Sequence, residues 1–132
     1  MTPLVREPVS PPLDVAIVGC AHQPHAWSYA RALTATPSAR LVAVFDEDPA
    51  LARSVADDFG APVTGDLEGL LASPELDAVV VCSPTAQHRR HVEAAASAGC
   101  HVFSEKPIAT TTGDARAMIS ACRDAGVQSD AF

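Results

Sequence analysis

Short apolar runs alternate with amphipathic stretches along most of the chain. Leu13 to Val18 (LDVAIV), Leu41 to Phe45 (LVAVF), Ala78 to Cys82 (AVVVC) and His101 to Ser104 (HVFS) are too short for globular helices and predict buried strands. Ala61 to Val63 predicts a short third strand, and Val127 to Phe132 begins a sixth. Helical spacing fills the intervals. Pro24 to Thr36 carries Ala26, Ala30 and Leu33 on one face, and Pro24 suits a first turn, where a missing N–H costs nothing. A second helix runs from Pro49 to about Phe59 and stops at Gly60. Asp66 caps a brief third through Leu67, Leu70 and Leu71. Ala86 to Ala98 turns Val92, Ala95 and Ala96 inward and ends at Gly99. Thr111 or Thr112 caps the last helix, whose Ala115, Met118, Ile119 and Cys122 fall at i, i+3, i+4 and i+7 before Gly126 ends it.

Strands that are apolar on both faces, alternating with helices, mean a parallel sheet covered on both sides with right-handed crossovers. The fold class that follows is α/β: a doubly wound parallel sheet (Rossmann fold), three-layer α/β/α, in a single domain over residues 13–132. A chain of 132 residues can build one such core and not two. Residues 1–12, with Pro3, Pro8, Pro11 and Pro12, predict a flexible Pro-rich tail, and they lack the apolar segment of a signal peptide.

Composition narrows the partners. The formal net charge is −7 with no basic cluster, which argues against nucleic acid, because phosphate neutralisation needs clustered Lys and Arg. No apolar stretch reaches membrane-span length, so no membrane partner is expected. Cys20, Cys82, Cys100 and Cys122 form no C-x-x-C pair, match no zinc spacing and fit reduced thiols in a cytoplasmic protein. A homo-oligomer stays open.

In an open parallel sheet, ligands bind beyond the carboxyl ends of the strands at the topological switch point. The turn after the first strand is Gly19-Cys20-Ala21-His22-Gln23-Pro24. A dinucleotide fingerprint places glycine at the first, third and sixth positions, and here only the first is glycine. Ala21 is small enough for close approach but resists positive φ, and Pro24 cannot donate an N–H. The following helix N-terminus still offers N–H groups and a positive dipole end to a pyrophosphate, flanked by His22 and His25. Read from these residues alone, an ordinary strand–helix turn and a phosphate site are evenly balanced. After the second strand, Asp46 can accept both ribose hydroxyls of an adenosine, and Asp46, Glu47 and Asp48 repel a 2′-phosphate. That favours NAD over NADP, against the alternative of a solvated acidic loop. A metal site through His88 or His91 is set aside, because no carboxylate lies at ligand spacing. Trp27 and Tyr29 read as packing residues of the first helix.

Ser83-Pro84-Thr85-Ala86-Gln87-His88 after the fourth strand and Glu105-Lys106-Pro107-Ile108 after the fifth carry a resemblance. Together with LVAVFDEDP, LDAVVVCSPT, AAASAGCHVFSEKPIATT and DARAMISACRDAGV, in that order and spacing, they resemble the Gfo/Idh/MocA oxidoreductases from about Asp14 to Val127. The resemblance implies a nicotinamide cofactor domain. It makes Lys106, the only lysine in the chain, the catalytic residue, polarising a substrate hydroxyl or relaying a proton with a pKa that burial can lower. It implies that Glu105 orients the turn or contacts the ribose, that Pro107 follows a cis peptide, and that Ser83, Pro84 and Thr85 line the nicotinamide side, with His88 in the same motif. Cofactor contacts are thus expected from Gly19, Cys20, Ala21, His22, Gln23, His25, Asp46, Glu47, Ser83, Pro84, Thr85, His88, Glu105, Lys106 and Pro107. Cys20 to Tyr29 is similar to a C-A-H-x-H-A-x-S-Y run of one branch of the family, with one residue inserted.

Such oxidoreductases continue into a second domain that supplies the substrate contacts, and the sequence is expected to lack it. The expected function is the NAD(P)-binding domain of an oxidoreductase that transfers hydride between nicotinamide and a sugar- or polyol-type carbinol, once completed by a substrate domain. The alternative is a stand-alone or relic dinucleotide-binding module without catalysis of its own.

Overall fold

The computed structural model describes residues 11–131. Six strands form one parallel sheet in the order β3-β2-β1-β4-β5-β6. They are β1 (Leu13–Val18), β2 (Ala39–Phe45), β3 (Val63–Thr64), β4 (Ala78–Val81), β5 (His101–Ser104) and β6 (Ser129–Ala131). The helices between them are α1 (Gln23–Ala35), α2 (Pro49–Ala56), α3 (Leu67–Leu71), α4 (His88–Ser97) and α5 (Thr112–Ala125). Strand order reverses between β1 and β4, which fixes the switch point expected for this class.

Alternation along the strands splits the core in two. Ala16, Val18, Val79 and Val81 face one layer, where they meet Val92, Ala95 and Ala96 of α4 and Met118 and Cys122 of α5. Ile17, Val44 and Val80 face the other, against Ala26 and Ala30 of α1 and Ala52 and Val55 of α2. The alanines let the helices sit close to the sheet. Apolar burial on both faces is what makes the strands read as unbroken apolar runs.

Most expected elements are present, with shifted ends. β2 starts at Ala39 rather than Leu41, because Leu13 N–H donates to Ser38 O and extends the ladder. The second helix keeps α geometry only to Ala56; Asp57–Phe59 is a 3-10 turn, and Gly60 (φ 64°) ends it in the left-handed region. The third strand is Val63–Thr64, later than Ala61 to Val63, since Pro62 lacks an N–H and only its carbonyl pairs, with Val44. The fourth helix opens with a 3-10 turn at Thr85–Gln87. Thr111, not Thr112, caps α5, its hydroxyl accepting from Asp114 N–H.

One facing differs. Ile119 falls on the expected apolar stripe of α5 but is 46% exposed, whereas Met118 and Cys122 are buried. Met118 and Cys122 pack into the layer shared with α4, and Ile119, about 100° round the helix from Met118, falls at the edge of that stripe. The sixth strand is Ser129–Ala131, narrower than Val127 to Phe132, and Phe132 lies outside the described residues, as do the tail residues 1–10. All four cysteines are free and buried. Burial, with the Asp46 charge added at Cys20 and mainly the Glu105 charge at Cys82, pushes both thiols up to about 12. They are therefore inert small hydrophobes.

Candidate functional site

The site is built at the β1/β4 switch point, where four turns converge. Gly19 leaves β1 at φ +87°, and a Cβ there would fall 2.5–2.6 Å from Ser83 side-chain and backbone atoms. Only glycine lets the β1 and β4 turns come this close. Cys20 N–H donates to Asp46 Oδ2 at 2.8 Å, and Asp48 N–H donates to Oδ1 at 2.9 Å. Two backbone donors thus aim the Asp46 carboxylate from the end of β2 toward the crevice. Gly19, Ala21, Asp46, Glu47, Leu51, Ser83, Pro84, Gln87 and His91 line a cavity there.

α1 begins beside this cavity. Its first turn holds no acidic residue, and its N-cap, His22, makes no side-chain cap, so nothing negative competes with an anion at that end. Pro24 in the first turn removes one donor. The donor set (a helix start, a fixed carboxylate and a glycine-tight turn) fits a dinucleotide, with pyrophosphate at α1 and adenosine ribose at Asp46.

The β4 side is held by histidines. His91 Nδ1 lies 2.8 Å from Ser83 Oγ, and its Nε2 lies 3.3 Å from Arg90 Nη2. A guanidinium can only donate, so Nε2 accepts and Nδ1–H donates to the serine. Burial, reinforced by the Arg90 charge, lowers the His91 pKa to about 4 and keeps the ring neutral. Arg90 in turn pairs with Glu47 Oε1 at 2.8 Å, and this bond holds the Glu47 carboxyl below its usual range. His88 is fully buried, with Nε2 2.8 Å from Ser83 O and Nδ1 3.0 Å from Ile108 O. It braces the β4 turn against the segment after the β5 turn from beneath.

Glu105 does the same for α1 and β5. It is 3% exposed. Its Oε2 accepts from Tyr29 O–H at 2.6 Å, and its Oε1 accepts from Lys106 N–H at 3.2 Å and lies 3.2 Å from His25 Nδ1. Burial pushes its pKa up, but the bonds from Tyr29, Lys106 N–H and His25 outweigh that and hold it below the ordinary range. Burial first, then the Glu105 bond and charge, raises the Tyr29 phenol, so it stays a donor. The Lys106–Pro107 peptide is cis. Lys106 itself is exposed, lining a groove with His25, Ser28, Tyr29 and Glu105, and is not buried as expected.

Of the expected site residues, the structure gathers Gly19, Ala21, Asp46, Glu47, Ser83 and Pro84 around one cavity and His25, Glu105 and Lys106 around a second groove. The side chains of His88 and Glu105 point into the protein fabric, and the Cys20 thiol is buried. Sequence reasoning missed Gln87, Leu51 and the His91–Ser83 bond, and it read Tyr29 as packing alone. Tyr29 does pack edge-on against Phe103, with ring centroids 5.5 Å apart, but its hydroxyl also serves Glu105. The available signal was spacing: His25 and Tyr29 are four residues apart on one helical face. Among the described residues, no group of three His, Cys, Asp or Glu is placed to hold a metal ion, and no helix is long and apolar enough to cross a membrane.

Residues 13–130 match the family model GFO_IDH_MocA, described as "oxidoreductase family, NAD-binding Rossmann fold". The chain belongs to this family. Among family relatives, a D-glucoside 3-dehydrogenase of Escherichia coli is 39% identical over 121 residues, covering 89% of this chain and 33% of the relative. An inositol 2-dehydrogenase of Rhizobium meliloti is 38% identical over 96 residues, covering 73% and 29%. Among solved structures, an enzyme of gentamicin A biosynthesis in complex with NAD superposes with a TM-score of 0.84 at 34% identity, covering 97% of this chain and 37% of that one. A 3-ketoreductase from Actinomadura kijaniata in complex with NADP and TDP-benzene gives 0.78 at 30% identity, covering 88% and 35%. The chain spans a third or less of the curated GFO_IDH_MocA relatives it matches. It corresponds to their nucleotide-binding domain, which carries an NAD(P)-binding Rossmann fold.

Proposed function

We propose that this chain is the cofactor half of an oxidoreductase acting on a sugar- or polyol-type carbinol, using NAD in preference to NADP and completed by a substrate domain. The observation that carries this reading is the Asp46 carboxylate, fixed by Cys20 N–H and Asp48 N–H at the end of β2, beside the glycine-tight turn at the switch point. A carboxylate so placed accepts the two ribose hydroxyls and repels a 2′-phosphate. Glu47 adds negative charge there and neutralises Arg90, the cation that could otherwise serve such a phosphate.

When bound, the nicotinamide supplies the hydride chemistry. The chain's own residues do the rest. Gly19, Ala21, His22, Gln23 and His25 hold the pyrophosphate at the start of α1. Ser83, Pro84 and Thr85 flank the nicotinamide, while His88 and Glu105 keep the two turns in register from below. Lys106 reaches the substrate hydroxyl and polarises it with its ammonium group, and a closing substrate domain would desolvate it. The buried free thiols fit a reducing, cytoplasmic setting.

The missing second and third glycines of the turn favour a second reading, a nucleotide-binding or relic module without catalysis. Fluorescence titration with NADH and NADPH separates them. Saturable NADH binding, weaker for NADPH and weakened by Asp46→Ala, supports the cofactor domain. A folded sample that binds neither nucleotide at millimolar concentration leaves the relic.

A further inference from the structure

Tyr29 joins two parts of the crevice that lie far apart along the chain. Its ring packs edge-on against Phe103 of β5, and its hydroxyl donates to Glu105 Oε2 at 2.6 Å. The other oxygen of that carboxylate accepts the Lys106 N–H at 3.2 Å. One side chain of α1 thus reaches, through a single buried carboxylate, the backbone from which Lys106 departs. Packing alone does not ask for the hydroxyl. Ala26 and Ala30 let α1 lie against the sheet, and Leu33, one turn after Tyr29, serves the same layer with no polar atom. A phenylalanine ring in place of Tyr29 would keep the contact with Phe103. What the phenol adds is a donor for Glu105, which is 3% exposed and costly to bury as an anion without donors. His25, whose side chain is 52% exposed, stands at ion-pair distance only.

We propose that Tyr29 is a positioning residue for Lys106: through Glu105 it ties the helix that receives the pyrophosphate to the turn that presents the lysine. The inference rests on the cofactor reading above, in which α1 holds the pyrophosphate and Lys106 the substrate hydroxyl. Lys106 is exposed, and among the described residues none makes a hydrogen bond or ion pair with its ammonium group. A long, rotamer-rich side chain of this kind is aimed by the backbone it leaves. That backbone is held by Glu105, and Glu105 is held by Tyr29. A nucleotide seated at the start of α1 therefore acts on Lys106 through Tyr29 and Glu105, and not only through atoms that touch the lysine. Loss of the phenol leaves the nucleotide site whole, because the cavity at the switch point is lined by other residues, Gly19, Ala21 and Asp46 among them.

Lys106 is the only lysine, which makes the test direct. Reductive methylation with isotope-labelled formaldehyde keeps the charge and gives one lysine methyl signal in NMR, apart from that of the terminal amine. The full chain is titrated with ADP-ribose, which carries the pyrophosphate and the adenosine but no nicotinamide. Calorimetry follows binding, and a thermal scan follows the fold. NADH takes its place as the probe if only NADH binds. The expected result is a saturable shift of the Lys106 methyl signal in the wild type. In Tyr29→Phe the nucleotide binds with wild-type affinity and the shift is lost. A variant that merely loosened the fold would lose affinity and signal together. Glu105→Gln has one acceptor oxygen where the link needs two, so it should lose the shift as well, and it decides the matter if Tyr29→Phe does not fold. A wild-type Lys106 signal that ignores bound nucleotide, or one that shifts as fully in the variant as in the wild type, overturns the inference and leaves the cofactor reading standing. Absence of binding by both ADP-ribose and NADH overturns both.

Discussion

On the β4–β5 side of the crevice, Ser83, His88, His91 and Glu105 are buried, and each has a hydrogen-bond partner. On the β1–β2 side, Ala21, His22, Glu47 and Asp48 are exposed, and order comes from backbone geometry: a glycine at positive φ and two N–H groups on Asp46. The first side is a polar network in a low-dielectric setting, where every member must be satisfied. The second is a surface loop tuned to receive a ligand. Variants on the first side should therefore cost stability, and variants on the second should cost binding while leaving the fold intact.

Gly19 joins the two sides and should give the largest effect. Gly19→Ala combines a left-handed backbone with a Cβ driven into Ser83, together about 3 kcal/mol or more. Chemical denaturation checks this, and a variant of wild-type stability would show that the turns are not in close approach. His88→Phe comes next. It fills the space but removes the ring N–H donor held between the Ser83 and Ile108 carbonyls, costing about 2 kcal/mol in the same assay. Asp46→Ala inverts the pattern. Its NADH affinity should fall about tenfold, roughly 1.4 kcal/mol, while its denaturation midpoint moves less than that of His88→Phe. Equal losses of stability in these two variants would break the comparison.

The smallest effect is a pH dependence. The His91 pKa is lowered to about 4 in the folded state, so between that value and its ordinary 6.5 the unfolded chain binds more protons. Stability therefore rises with pH across this window, is full above it, and is lost as pH falls toward 4. His91→Gln should flatten the slope by up to one proton, read from denaturation midpoints at several pH values. An unchanged slope would mean that His91 is not held neutral by burial.

The same division decides what the sequence could reveal. Asp46 and Gly19 are legible because strand-end position and turn chemistry are local, and the two turns 83–88 and 105–108 are legible as motifs. The brace from His88 to Ile108 and the bond from Tyr29 to Glu105 span 20 and 76 residues. Hydrophobic periodicity carries no information about which polar groups meet across such distances. Periodicity placed Met118 and Cys122 inward correctly. It also placed Ile119 inward, because a helix stripe does not say which of its edges meets the core. The second helix reads one 3-10 turn too far at its end and the fourth two residues too early at its start, since a 3-10 turn at a helix end is not separated from the helix by apolar spacing.

The central claim is that a nicotinamide dinucleotide lies across the β1/β4 switch point with its adenosine ribose on Asp46. Backbone amide NMR of the folded chain, titrated with NADH, tests it most directly. The account predicts saturable shifts confined to Gly19, Ala21, Asp46, Ser83 and their turn neighbours, with the opposite end of the sheet around Leu13, Ala78 and His101 silent. Shifts centred elsewhere, or none at saturating nucleotide, would contradict it.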